Sequence, residues 1–274
     1  MYELFYGLKE KPFRISPDPR FLFLAPQHQE VLSKCQYMIE GRIGPVYVFG
    51  PIGSGKTTIA RRLHQQLTED PRYQVASLIA PDLKTPNALL RTIAKEFGVK
   101  TERSFDETLR NFAAFLRDEH ASGVVPVLLI DEAQILRRPL LKLVHFLLNY
   151  ETNTEKLLQV VLFGQNELAS RIDAIPELKS RMFPSALAAL DAHDTDDMIA
   201  FRMTVAGAIY NPFTAEATHA VFRTSLGLPR AICQICDMAL LAGLSAKATV
   251  IDEPAIAAAA SSLRIDAKEV AHAR

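Results

Sequence analysis

Pro45-Val-Tyr-Val-Phe-Gly50-Pro51-Ile-Gly53-Ser54-Gly55-Lys56-Thr57-Thr58 is the stretch from which the fold can be read. Residues 46–49 are a short apolar run closed by Gly50, the pattern of a buried strand. The next eight residues fit G-x-x-x-x-G-K-[ST] at every fixed position, the sequence of a loop that cradles phosphates. Glycines at 50, 53 and 55 permit backbone angles that a Cβ resists, so several N–H groups can converge on one anion. A helix expected over residues 57–67 points its positive end at the same place. Lys56 is placed to reach the β- and γ-phosphates of ATP, and the Thr57 hydroxyl is a ligand for Mg²⁺. Pro51, Ser54 and Thr58 complete the expected nucleotide contacts.

An apolar strand ending in acid is the expected partner of such a loop. Residues 124–130 are apolar throughout, as central parallel strands are, and run straight into Asp131-Glu132-Ala133-Gln134, about 75 residues after Lys56. Asp131 at the strand's carboxyl end would hold Mg²⁺, and Glu132 would take a proton from the attacking water. Gln165 ends the next strand, over residues 157–163, and neighbouring parallel strands end side by side where such sheets bind ligands. Arg230 opens a later helix after Gly227-Leu-Pro229. A cation gains nothing from a helix N-terminus, which suits a side chain sent outward to a phosphate.

Around these residues, strand patterns at 46–49, 73–79, 124–130 and 157–163 alternate with helical patterns at 57–67, 85–97, 104–122 and 139–149. Alternation of this kind argues an α/β domain with a parallel sheet flanked by helices. From residue 191 only helical patterns remain, near 195–209, 214–226, 229–243 and 253–263. The expected organisation is an arm over residues 1–26 packing on the core, an α/β domain over 27–190, a small helical lid over 191–264 and a tail over 265–274.

The 274 residues suffice for one large or two ordinary domains, and 49% hydrophobic with 23% charged content describes a globular chain. Net charge is zero, so nucleic-acid binding cannot rest on bulk charge, although the first 64 residues carry nine Lys/Arg against five Asp/Glu. Three cysteines make no disulfide framework and fit a reducing compartment. Cys233-Gln-Ile-Cys236 has zinc-knuckle spacing without a second pair nearby, so buried thiols are expected. The start shows no secretion signal, and no apolar run approaches the roughly 18 residues of a membrane span. A cytoplasmic protein without a membrane segment is the expectation.

Taken together the motifs resemble an AAA+ ATPase, in particular the ExeA/GspA-type group and its TniB/TnsC-like relatives among transposition regulators. The matching stretches are Phe5-Tyr-Gly-Leu, Pro12-Phe13, residues 16–24, the phosphate loop, Leu129-Ile-Asp-Glu-Ala-Gln, Asn149-Tyr-Glu-Thr, Lys156-Leu-Leu-Gln, Phe163-Gly-Gln-Asn-Glu-Leu, Gly227-Leu-Pro-Arg and Cys236-Asp-Met-Ala-Leu-Leu. They span about 240 of the 274 residues. The resemblance implies Lys56 and Thr57 as Walker A, Asp131 and Glu132 as Walker B, Gln165 as sensor 1 and Arg230 as sensor 2. It further implies an arginine finger at Arg181, with Arg171 in reserve, because Lys179 stands where the group has arginine and lysine lacks its forked donors.

Three roles follow as expectations. The first is an ATP-dependent homo-oligomer, ring or helical filament, that assembles on double-stranded DNA as a transposition regulator with a transposase and a target-selection protein. Arg137 and Arg138 are its candidate DNA contacts. The second is an ATPase for secretion or cell-envelope assembly. That group typically continues into a membrane helix and a peptidoglycan-binding domain, and neither pattern occurs within these 274 residues. The third, a metabolic kinase, is disfavoured by the helical lid and by the lack of a small-substrate motif.

Overall fold

The computed structural model describes residues 1–15, 18–79 and 81–263. Ser16 and Pro17 of the resembling stretch, and the tail expected over 265–274, lie outside the described residues. In chain order the elements are α1 (Tyr2–Phe5), α2 (Pro26–Glu40), β1 (Val46–Phe49), α3 (Lys56–Thr68), β2 (Tyr73–Ile79), α4 (Pro86–Glu96), α5 (Phe105–Ala121) and β3 (Val125–Asp131). They continue as α6 (Arg138–Leu147), β4 (Gln159–Gly164), α7 (Asn166–Asp173), α8 (Pro176–Lys179) and β5 (Phe183–Ala186). The last four are α9 (Ala192–Val205), α10 (Ala215–Ser225), α11 (Pro229–Ala246) and α12 (Glu253–Ser262). The chain divides into two compact units: residues 30–50 with 56–187, and residues 1–29 with 51–55 and 188–274.

The first unit is a five-stranded sheet in the order β2-β3-β4-β1-β5, with every pairing parallel. Both β3 and β4 are buried along their whole length, as strands covered on two faces must be. Leu128, Ile130, Val160 and Leu162 meet Leu89, Ile93, Phe112 and Leu116 of α4 and α5 in one core. Each of these helices begins where a hydroxyl caps it: Thr85 Oγ1 accepts from Ala88 N at 3.2 Å, and Ser104 Oγ from Glu107 N at 3.4 Å. Register fixes the site. Phe49 pairs with Gly164 and Ile130 with Leu162, so Gly50, Asp131-Glu132 and Gln165 share the carboxyl edge of the sheet.

Strand β5 is absent from the sequence reading, which finds four strands. It is short, mostly exposed and contains Pro184, and proline is tolerated only where a ladder needs no further donor. Its pairing with β1 is prolonged by Phe183 N to Pro45 O at 2.9 Å and Leu187 N to Phe49 O at 2.8 Å. Helix α9 starts and ends earlier than its apolar pattern predicts. The Asp191 carboxylate accepts from Asp194 N at 2.7 Å, and Gly207 takes a φ of 84° just past the helix end.

The second unit is helical. Ile199, Met203, Val221, Ile232, Ile235, Cys236, Leu240 and Ile256 from α9 to α12 form its core. The arm packs here, where the sequence reading has it on the α/β core. Tyr2 Oη donates to Asp237. Tyr6 Oη donates to the Ala248 carbonyl at 3.0 Å, and Lys9 N to that of Ala206 at 2.8 Å. Phe13 meets Phe213 edge-on at 5.9 Å between ring centres. The physical reason is that the four helices leave an apolar face uncovered, and aromatic residues of the arm bury it. Gly243 makes room for this: a Cβ there would stand 2.2 Å from Tyr6 Oη. Cys233 and Cys236 lie buried in α11, and desolvation pushes both thiols up. Among the described residues no helix is long and apolar enough to cross a membrane.

Candidate nucleotide-binding site

The phosphate loop is shared between the two units in sequence. Residues 51–55 group with the helical unit, while Gly50 and residues 56–187 group with the sheet. On the sheet side, Gly50 is obligatory because a Cβ would lie 2.3 Å from the Leu187 carbonyl oxygen. Lys56 is the first residue of α3, is only 7% exposed, and its Nζ donates to the Gly50 carbonyl at 2.9 Å. A buried ammonium at the mouth of a helix N-terminus is an arrangement that fits an anion.

The Thr57 hydroxyl hydrogen-bonds the Asp131 carboxylate, which also accepts from Glu132 N at 2.9 Å. Burial raises the Asp131 carboxyl above its ordinary range, against the lowering effect of those two bonds. A hydroxyl beside a buried carboxylate fits Mg²⁺, which takes one or two protein oxygens and fills its shell with water and phosphate.

Glu132 adopts left-handed backbone angles, φ 55° and ψ 34°. For a non-glycine residue this costs roughly 1–2 kcal/mol, and such outliers gather at functional sites. Its carboxylate accepts from Gln134 Nε2 at 2.5 Å, and Gln134 Oε1 accepts from the backbone N–H of Gln165 at 3.1 Å. Gln165 stands at the N-cap of α7 but makes no capping bond with its side chain. The sheet thus brings Asp131, Glu132 and Gln165 together, as their strand-end positions predict. Gln134 is the member that sequence reasoning missed. It sits inside the quoted Asp-Glu-Ala-Gln stretch, but its role depends on a neighbour 31 residues away.

On the helical side, Arg230 lies against the loop: its N–H donates to the Gly53 carbonyl at 3.3 Å. A Cβ on Gly53, whose φ is 81°, would stand 3.0 Å from Arg230 Cβ. His28 was also missed, since nothing in the sequence separates it from six other histidines. It is buried, and its Nε2 donates to the Ser54 carbonyl at 2.9 Å while a Cβ on Gly55 would stand 3.0 Å from that nitrogen. Ser54 Oγ and His28 Nδ1 are buried without a protein hydrogen-bond partner.

Burial holds His28 below the ordinary imidazole range, partly offset by Ser54 and by the charge of Asp194. The sign follows from linkage. A histidine that is harder to protonate when folded contributes stability above its unfolded pKa of about 6.5, and that stability is lost as pH falls below it. Thermal melts of the nucleotide-free protein should therefore drop between pH 7.5 and 5.5, and His28→Gln should flatten part of that drop. An equal drop in both proteins would show that His28 is not its source.

The remaining candidates stand elsewhere. Arg181 follows α8, donates to Asn149 Oδ1 and lies beside His145 and Lys156; desolvation first, and the Arg181 charge second, lower the pKa of both. Arg171 donates to the Leu136 carbonyl at 3.2 Å. Neither touches Glu132 or Gln165 by a hydrogen bond. Arg137 and Arg138 are exposed at the start of α6.

A parallel sheet in this order, with a phosphate loop after β1 and an Asp-Glu pair after β3, is the fold of an AAA+ P-loop NTPase. Residues 40–172 match the family model described as an AAA domain. Over 252 residues, 89% of the chain, the sequence is 38% identical to general secretion pathway protein A of Aeromonas hydrophila. The chain spans 45% of that relative's length. In fold it is similar to Cdc6p of Pyrobaculum aerophilum, at a TM-score of 0.70 and 16% identity over 88% of this chain and 67% of that one. It is equally similar to the Drosophila ORC bound to DNA, at 0.70 and 21% identity over 97% and 67%.

Proposed function

We propose that this chain is an Mg²⁺-dependent ATPase that works as a homo-oligomer and serves a secretion or cell-envelope machine. What carries the reading is the 38% identity to a general secretion pathway protein along 89% of the chain. A span that long necessarily includes residues 50–58, 131–134, 165 and 230. In this reading the loop amides and Lys56 hold the phosphates, with Arg230 reaching them from the start of α11. Thr57 and Asp131 hold Mg²⁺, which when bound neutralises charge on the phosphate oxygens. Glu132 accepts the proton of the attacking water, and Gln165 orients that water.

Arg181, bonded away from the Glu132 cluster, fits a finger offered to the next subunit. Mixing Arg181→Ala with Lys56→Ala protein should then restore hydrolysis that neither has alone, because each supplies the half that the other lacks. Activity per subunit should also rise with protein concentration. Full activity of a dilute monomer would overturn the shared site and bring Arg171 or no finger at all into its place.

A second reading, assembly on double-stranded DNA in a transposition system with a transposase and a target-selection protein, is favoured by the exposed pair Arg137 and Arg138 and by fold likeness to a DNA-bound complex. One or two phosphate contacts per subunit are weak, and repetition along a ring or filament makes them strong. Fluorescence anisotropy with duplex DNA across a salt series, with ATP, ADP or no nucleotide, separates the two. Steep, ATP-dependent and salt-sensitive binding selects the DNA role, and indifference to DNA at low salt leaves the secretion role.

A further inference from the structure

We infer that Gln134 is a positioning residue for hydrolysis, linking the Gln165 turn to the carboxylate of Glu132. The inference rests on the reading of Glu132 as general base. Three observations carry it. Gln134 is 9% exposed, so water competes little for its bonds. Its nitrogen donates to Glu132 Oε2 at 2.5 Å and its oxygen accepts from Gln165 N at 3.1 Å. Gly164, just before Gln165, permits the approach, since a Cβ there would lie 2.9 Å from Gln134 Oε1.

The chemistry of the two partners dictates the residue type. A backbone N–H only donates and a carboxylate only accepts, so the group between them must present an acceptor and a donor at one end. Among side chains of this length that is glutamine. The partners also settle which amide atom faces which. One carboxylate oxygen of Glu132 is then fixed, leaving the other to meet the water. Because Gln165 is the N-cap of α7, a shift of that turn displaces the Gln134 oxygen and, through the same rigid amide, the base. An arrangement in which the base is oriented by a third group is how proton acceptors are commonly set in active sites.

The test compares native protein, Gln134→Met, Glu132→Gln and the double variant by steady-state ATP hydrolysis and by binding of a fluorescent ATP analogue. Gln134→Met keeps the volume and removes both bonds. A lost positioning contact of this kind should lower kcat about 10- to 100-fold with analogue affinity kept. In the Glu132→Gln background the same change should add almost nothing, because Gln134 acts through the carboxylate already removed. A plain packing role predicts the opposite, with kcat near native in Gln134→Met or equal losses in both backgrounds, and either result overturns the inference. If Gln134→Met does not fold, Gln134→Glu carries the test: it keeps the bond from Gln165 N and sets a carboxylate against Glu132. Failure of the underlying reading looks different. A native protein without ATPase activity, or full turnover in Glu132→Gln, removes the general base itself and the inference with it.

Discussion

Glu132→Gln will bind ATP as the native protein does and hydrolyse it roughly 10²- to 10⁴-fold more slowly, the usual contribution of a general base. The amide keeps the size of the carboxylate and its place after β3, where Glu132 is held in left-handed backbone angles. It cannot accept the proton that leaves the attacking water. The change is confined to the chemical step, because Lys56 and Thr57, proposed to hold the phosphates and Mg²⁺, lie on α3 and are untouched. Single-turnover hydrolysis beside equilibrium binding separates the two effects. Undiminished turnover would remove Glu132 from the mechanism.

Lys56→Ala will instead weaken binding severely. The ammonium is buried at the start of α3 and bonded to the Gly50 carbonyl, so it is held in the loop before any phosphate arrives. Removing one partner of a buried, hydrogen-bonded charge pair costs about 2–5 kcal/mol, which moves a micromolar complex to about 30 µM at the least and into the millimolar range at the most. The stability of the empty protein should fall little, or even rise, since an ammonium is costly to bury. Isothermal titration with ATP and a thermal melt without it give both numbers. Native-like affinity in Lys56→Ala would mean that the loop amides alone hold the phosphates, and the role of the lysine would have to be sought in hydrolysis.

By itself the sequence determined the class of fold and the chemistry-bearing positions on the sheet. Strict motif spacing does this because backbone demands are local. Glycines 50, 53 and 55 report the loop, an unbroken apolar run reports the buried strand β3, and the polar residues at or just after the ends of β3 and β4 report the ligand-binding edge. Asp131, Glu132 and Gln165 could therefore be named from their places in the chain, and the structure puts them along one edge. Only the tertiary structure decided the contacts made across long separations. Strand β5 exists because β1 offers it a ladder, which no run as short and proline-broken as Phe183–Ala186 could announce. The arm covers α9 to α12 because those helices leave apolar surface open, a property of the packed bundle and of no single segment. His28 under Ser54, and Gln134 between Glu132 and Gln165, are ordinary polar residues in sequence. Their roles come from burial, which removes water as a competitor and leaves only the partners that fit.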